Sequence, residues 1–219
     1  MSEKQVVSKQ RVADHGEVYT GKKEVKAMLD LVGQETERIE SRFLEPACGI
    51  GNFLIEILNR KLEIVKARYA KSQLEFERYA ILAVSSLYGI DLLEDNISEC
   101  RRRLLRKFED HYLSLYMQTA RRECLESVSY ILEKNIVQGD ALTMQTSDVS
   151  PKPIVFSEWS PVNGSMLKRR DFEFHELMGN SERSVLPLFS YLKKKDRFFP
   201  EPIKEYQLVH FLKVADAET

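Results

Sequence analysis

The chain has 219 residues, 43% of them hydrophobic and 31% charged, with a net charge of −1 at pH 7. That length suits one domain, or one domain with an appendage, whose core needs neither disulfides nor metal to form. The charge balance excludes a global pull toward nucleic acid or membrane, so any DNA contact has to come from a local basic patch or from a partner.

Cys48, Cys100 and Cys124 are odd in number, far apart and free of any CxxC spacing. They suggest neither a disulfide framework nor a zinc site. His15, His111, His175 and His210 are scattered, and no metal-ligand set is predicted. There is no signal-peptide pattern and no apolar run approaching about 18 residues, so the expected location is cytoplasmic with no membrane partner.

In chain order, residues 1–15 read as a loose polar segment. Val25, Met28, Leu29 and Val32 fall on one face of a helix from Lys23 to Val32, with Gly33 as its C-terminal cap. SRFLEPACGIGNFLIEILNRKL reads as strand, glycine turn and helix, its stripe carried by Ile55, Leu58 and Leu62. KARYAKSQLEFERYAILAVSSL predicts another helix, with Leu74, Tyr79, Leu82, Ala83 and Leu87 partly buried. YGIDLL is a short apolar run ended by an acid, which predicts a buried strand. EDNISECRRRLLRKFEDHYLSLY is an amphipathic helix, RRECLESVSYILEKN extends or repeats it, and NIVQGDAL is the next strand and turn.

Strands separated by helices imply parallel crossovers and a doubly wound α/β sheet. The end of the chain changes character. PIVFSEWS and SMLKRRDFEF read as two strands joined at Asn163-Gly164, a hairpin signal. Ser184 to Lys195 reads as a helix, and EYQLVHFLKVA closes the chain as a strand or short helix. The predicted division is a core over residues 1–150 and a C-terminal extension, hairpin plus helix, over 151–219.

A strand that ends in a glycine turn and opens into a helix offers free backbone N–H groups and a partial positive charge. Gly49 and Gly51 let the backbone approach a ligand, and Asp91, at the end of the next strand, can accept from ribose hydroxyls. This is the physics of a nucleoside cofactor site. The competing reading has the glycines serving a simple tight turn and has Asp91 and Asp140 capping the helices that follow.

Glu45-Pro46-Ala47-Cys48-Gly49-x-Gly51-x-Phe53-Leu54 resembles motif I of the adenine-N6 DNA methyltransferases of restriction–modification systems. Gly16-Glu17-Val18-Tyr19-Thr20 resembles the element that precedes motif I in this class, usually GEVFTP. Gly89-Ile90-Asp91 resembles the family's acidic strand end, and Gly139-Asp140-Ala141-Leu142 its GDAL element. All four occur in the family's order between residues 16 and 142.

The resemblance implies a Rossmann-like fold with a helical insertion and S-adenosyl-L-methionine (SAM) as cofactor. It places Thr20 and Glu45 near the methionine end, Glu45 facing the ammonium. Asp91 meets the ribose hydroxyls, Asp140 the adenine amino group, and Phe53 walls the pocket. Tyr19, Pro46, Ala47, Cys48, Gly49, Gly51, Asn52, Leu92 and Ala141 complete the implied cofactor set. A site carrying carboxylates suits a cofactor with ammonium and sulfonium charges. Gly21 departs from the family's proline after Thr20 and loosens that segment.

Transfer to an exocyclic amine also needs the target base flipped out and its amino group held by acceptors. The family does this with an Asn, Asp or Ser followed by Pro-Pro and an aromatic. No such loop occurs in this chain, and in its place stands Ser157-Glu158-Trp159-Ser160-Pro161. Three readings stand open. Glu158 accepts from the amine while Trp159 stacks on the base; or strand and hairpin have replaced the loop and Trp159 is packing; or a partner subunit supplies the loop.

Lys168-Arg169-Arg170 follows the hairpin turn and is the candidate phosphate contact, against a solvated face. Lys193-Lys194-Lys195 reads as charge at a helix C-terminus, and Arg101-Arg102-Arg103 as helix surface. The expected partners are DNA and a restriction–modification subunit.

Overall fold

The computed structural model describes Arg11 and residues 19–178 and 200–218. The predicted helix over Ser184–Lys195 lies outside the described residues. The architecture is mixed α/β, with a parallel sheet and a separate antiparallel one.

Helix α1 (Lys22–Asp30) and the single-turn α2 (Gly33–Thr36) lead into β1 (Phe43–Glu45). Gly33 does not cap α1. The Leu31 and Val32 amides bond back to the Met28 and Leu29 carbonyls, and the chain turns directly into α2. Of the expected apolar face only Val25 and Leu29 are buried, while Met28 and Val32 are exposed.

Helix α3 (Asn52–Tyr69) buries Leu54, Leu58, Leu62 and Val65 completely. Each such side chain contributes about 1.5–3 kcal/mol on leaving water. Lys66 to Tyr69 form the last turn of α3 rather than opening a new helix. The break comes at Ser72, whose hydroxyl accepts the Glu75 amide and caps α4 (Gln73–Ser85); such a cap stabilises by about 1 kcal/mol. Leu74 is exposed, and Leu87 belongs to the following strand.

β2 (Leu87–Asp91), α5 (Glu94–Tyr116), α6 (Arg122–Asn135) and β3 (Ile136–Gln138) complete the first unit. The sheet order is β1-β2-β3, with both pairings parallel and β2 central. Leu87, toward the helices, joins a core built from α3, α4, α5 and α6. Tyr88 and Ile90 point to the opposite face and join Ile154, Phe156 and Phe174 in a second, smaller core.

The hairpin forms where Asn163-Gly164 predicts it. β4 (Val155–Val162) pairs antiparallel with β5 (Met166–Glu173), and Asn163 and Gly164 have φ of 40° and 72°. The one-turn helix α7 (Phe174–Leu177) follows. β6 (Lys204–Glu205) and β7 (Val209–His210) both add to β5, and a 3₁₀ segment (Phe211–Glu218) closes the described chain. Trp159, Leu167, Phe211 and Val214 enter the main core, so the hairpin and the chain end pack on the helical layer. Among the described residues no helix is long and apolar enough to cross a membrane.

Candidate functional site: a carboxylate-lined pocket at the glycine turn

The C-terminal ends of β1, β2 and β3 converge on a cavity of about 550 Å³. Each strand delivers its turn there because the strands are parallel and their ends coincide. β1 supplies Glu45, the turn after it Pro46, Ala47, Cys48, Gly49 and Ile50, and the start of α3 Asn52 and Phe53. β2 supplies Asp91 with Leu92 and Leu93, and α5 adds Asn96. The turn after β3 brings Gly139, Asp140, Ala141 and Leu142, and Tyr19 and Thr20 close the remaining side.

The turn is held by a specific set of bonds. Gly49 and Gly51 have φ of 50° and 83°, and Gly51 precedes the first residue of α3. A Cβ on Gly51 would stand 2.6 Å from the Cys100 Sγ, so both conformation and space require glycine there. Asp91 Oδ2 accepts the Gly49 amide at 2.8 Å, and its Oδ1 accepts the Leu93 amide at 2.9 Å and Asn96 Nδ2 at 3.1 Å. Arg103 donates to the Ile50 carbonyl at 2.6 Å and to Asn52 Oδ1 at 2.9 Å, while Asn52 Nδ2 donates to the Thr20 carbonyl at 2.9 Å. Tyr19 donates its hydroxyl to Asn96 Oδ1 at 3.2 Å.

Three carboxylates line the cavity, and among the described residues no lysine or arginine does. Burial raises the Glu45 carboxyl above its usual range, opposed by the Ala47 amide. The Cys48 thiol is held protonated by its hydrogen bond with Cys100 and by burial, which removes it as a nucleophile. Asp140 Oδ1 accepts the Leu142 amide at 2.8 Å, closing a turn with no helix after it. Asp140 therefore caps no helix, and Asp91 serves both the glycine turn and the approach to α5. Leu92 and Leu142, 50% and 93% exposed, leave apolar surface at the rim.

The structure gathers every predicted cofactor residue around this cavity except Gly51, which shapes the turn from behind. Ile50, Leu93 and Asn96 join the lining without having been singled out from sequence, and Gly139 and Leu142 enter it only as part of the GDAL element. The polar Asn96 in the first turn after an acidic strand end is the one signal that could have found its position.

Glu158 and Trp159 are not brought to this cavity. Trp159 is 4% exposed, edge-on to the Tyr130 ring and covered by the Arg169 guanidinium. Its rings have no free face for a base. The Glu158 carboxylate lies between Arg42 and Arg170, at 2.5 and 2.8 Å.

The basic run is divided by strand alternation. Arg169 is 2% exposed and paired with Asp171 at 2.9 Å, with further bonds to Tyr130 and Ser157. Such a guanidinium cannot reach a phosphate from where it stands. Lys168 pairs with Glu205 and Arg170 with Glu158 on the other side. Nor is the Arg101–Arg103 run plain surface. Arg101 donates to the Glu133 and Ile136 carbonyls at the end of α6, and Arg103 braces the glycine turn. Among the described residues no cluster of His, Cys, Asp or Glu has the makings of a metal site.

In comparisons with known proteins the chain matches no protein-family model, no curated protein and no solved structure.

Proposed function

We propose that the protein binds S-adenosyl-L-methionine at the glycine turn and acts as a component of an adenine-N6 DNA methyltransferase of the restriction–modification type. The observation that carries the reading is a nucleoside-sized cavity at a glycine turn, lined by Glu45, Asp91 and Asp140 with no basic residue among its described walls. A phosphate-bearing cofactor would meet uncompensated negative charge there, whereas a cationic nucleoside finds partners. The strand order β1-β2-β3, with the turn after β1 and the acid at the end of β2, supports a Rossmann-like methyltransferase fold.

In this reading Glu45 meets the ammonium, Asp91 the ribose hydroxyls and Asp140 the adenine amine. Phe53 and the rim leucines enclose the base. The chain's own contribution to chemistry would be to bind and orient the methyl donor through these residues, the bound SAM supplying the methyl group.

A narrower reading gains from the burial of Trp159 and the pairing of Glu158. The chain alone is catalytically silent, and a restriction, helicase or specificity subunit brings the acceptor loop and the main DNA contacts. Calorimetric titration with SAM, beside NAD and ATP, tests the cofactor assignment. Binding of SAM alone is expected, and a folded protein that binds none of them, or binds ATP as tightly, would refute it. Transfer of labelled methyl from SAM to DNA by the isolated chain would remove the narrower reading.

A further inference from the structure

A second cavity, of about 540 Å³, lies against the outer edge of β1. Phe43 and Tyr88 come from the parallel sheet, Phe156 and Phe172 from the hairpin, and Phe174 from α7. The cavity opens beside Leu44, which is 39% exposed.

β1 pairs only with β2 among the described strands. The Phe43 amide donates to the Ser86 carbonyl at 2.9 Å, and Phe43 and Glu45 stand opposite Leu87 and Gly89. In a parallel ladder alternate residues bond to the same neighbour, so the N–H and C=O of Leu44 point away from β2. No described residue takes them. An apolar cavity and an open strand edge thus lie side by side.

The charge at the mouth narrows the occupant. Arg42 and Arg170 both pair with the single carboxylate of Glu158, and the described lining holds no other charge. Among the described residues one positive charge is left over there, and Arg42 is the more exposed of the two guanidiniums.

We infer that the outer edge of β1 is a docking site for an extended segment of a partner protein, which adds as a parallel strand with an acidic side chain facing Arg42 and, two residues later, an aromatic side chain in the cavity beside Leu44. The two-residue spacing follows from strand alternation, which puts residues 42 and 44 on one face. Backbone bonds to an edge give affinity, and alternate side chains give specificity. A strand running parallel to β1 ends beside Glu45 and the glycine turn, at the mouth of the carboxylate-lined cavity. The inference rests on the reading that a partner completes the methyl-transfer site, and it names the surface and the chemistry.

The probe is acetyl-Ser-Glu-Val-Phe-Val-Thr-amide, titrated into the ¹⁵N-labelled full chain, with the same peptide carrying lysine for glutamate as comparator. Saturable shifts at Arg42 and Leu44, protection of a fast-exchanging Leu44 amide and at least tenfold weaker binding of the lysine peptide are expected. Arg42→Glu should reverse the peptide preference, and Leu44→Glu should abolish binding of the glutamate peptide. Equal binding of both peptides, or no saturable shift, overturns the proposal. So does a Leu44 amide already protected in the free chain, whether by self-association or by residues 179–199, which deletion of that segment would reveal. SAM titration of the same samples separates the two ideas. Peptide binding without SAM binding sinks the cofactor reading alone, and the converse sinks the docking site alone.

Discussion

The Asp91 carboxylate accepts the backbone amide of Gly49 at 2.8 Å, tying the end of β2 to the turn that follows β1. One side chain therefore sets the distance between two strand ends and lines the cavity they form. Hydrogen bonds to a charged group contribute about 1.5–3 kcal/mol. If the cavity binds SAM as proposed, Asp91→Ala is expected to weaken that binding by roughly 10- to 100-fold, and in any case to lower stability measurably. Calorimetry and thermal melting of the same preparation read both. Unchanged affinity in the variant would remove Asp91 from the site.

Gly51 is constrained twice, by its φ of 83° and by the Cys100 sulfur beneath it. Gly51→Ala should cost about 1–3 kcal/mol, the range for backbone strain and overpacking. Adding Cys100→Ala relieves only the contact, so partial recovery is expected in urea unfolding. Full recovery would show that the left-handed backbone carries no penalty.

Lys61 is fully buried on α3, yet its ammonium donates to the carbonyls of Ile39 and Ser41 and to the Ser86 hydroxyl. Burial lowers its pKa to about 7, against the weaker opposing pull of Glu40 and Glu35. A free lysine titrates near 10.4, so between about pH 7 and 10 the unfolded chain holds more protons than the folded one. Stability then rises with pH through that window, by at most about 1.4 kcal/mol per pH unit from this group. Lys61→Met should flatten the slope between pH 7 and 8.5 while lowering stability, because three acceptors lose their donor. Parallel slopes for variant and wild type would contradict the shift.

Trp159 and Arg169 form one packed unit with Tyr130 and Asp171. Trp159→Ala is expected to destabilise by about 3–5 kcal/mol through the cavity left behind. Arg169→Met strands the Asp171 charge and should cost a similar 3–5 kcal/mol. Denaturant unfolding measures both. A well-folded Trp159→Ala protein with wild-type stability would mean the ring is not part of the core.

Much of the site was legible in sequence because it is local. Glu45 to Phe53 is one continuous stretch from strand end to helix start, Asp91 ends a short apolar run, and Asp140 follows the next strand end by two residues. What the turn touches was not legible. Cys100 lies under Gly51, Asn96 reaches Asp91, and Arg103 braces Ile50, all from α5 and all set by how that helix lies against the sheet. No local pattern encodes a helix's rotation about its axis.

The hairpin makes the same point more sharply. Asn163-Gly164 specified the turn, since a left-handed backbone there needs those residue types. The run Lys168-Arg169-Arg170 reads as one basic patch, but a strand sends alternate side chains to opposite faces. Which face became the interior depended on the register with β4 and on the packing of β4 against α4 and α6.

By itself, then, the sequence determined the parallel α/β unit, the glycine turn and the acids around it, because strand-end chemistry is written in neighbouring residues. Packing alone settled that Trp159 and Arg169 lie inside, that Glu158 is shared by two arginines, and that β1 pairs on one side only among the described strands. Those outcomes depend on contacts between residues far apart in the chain, and burial there is settled by packing rather than by residue type.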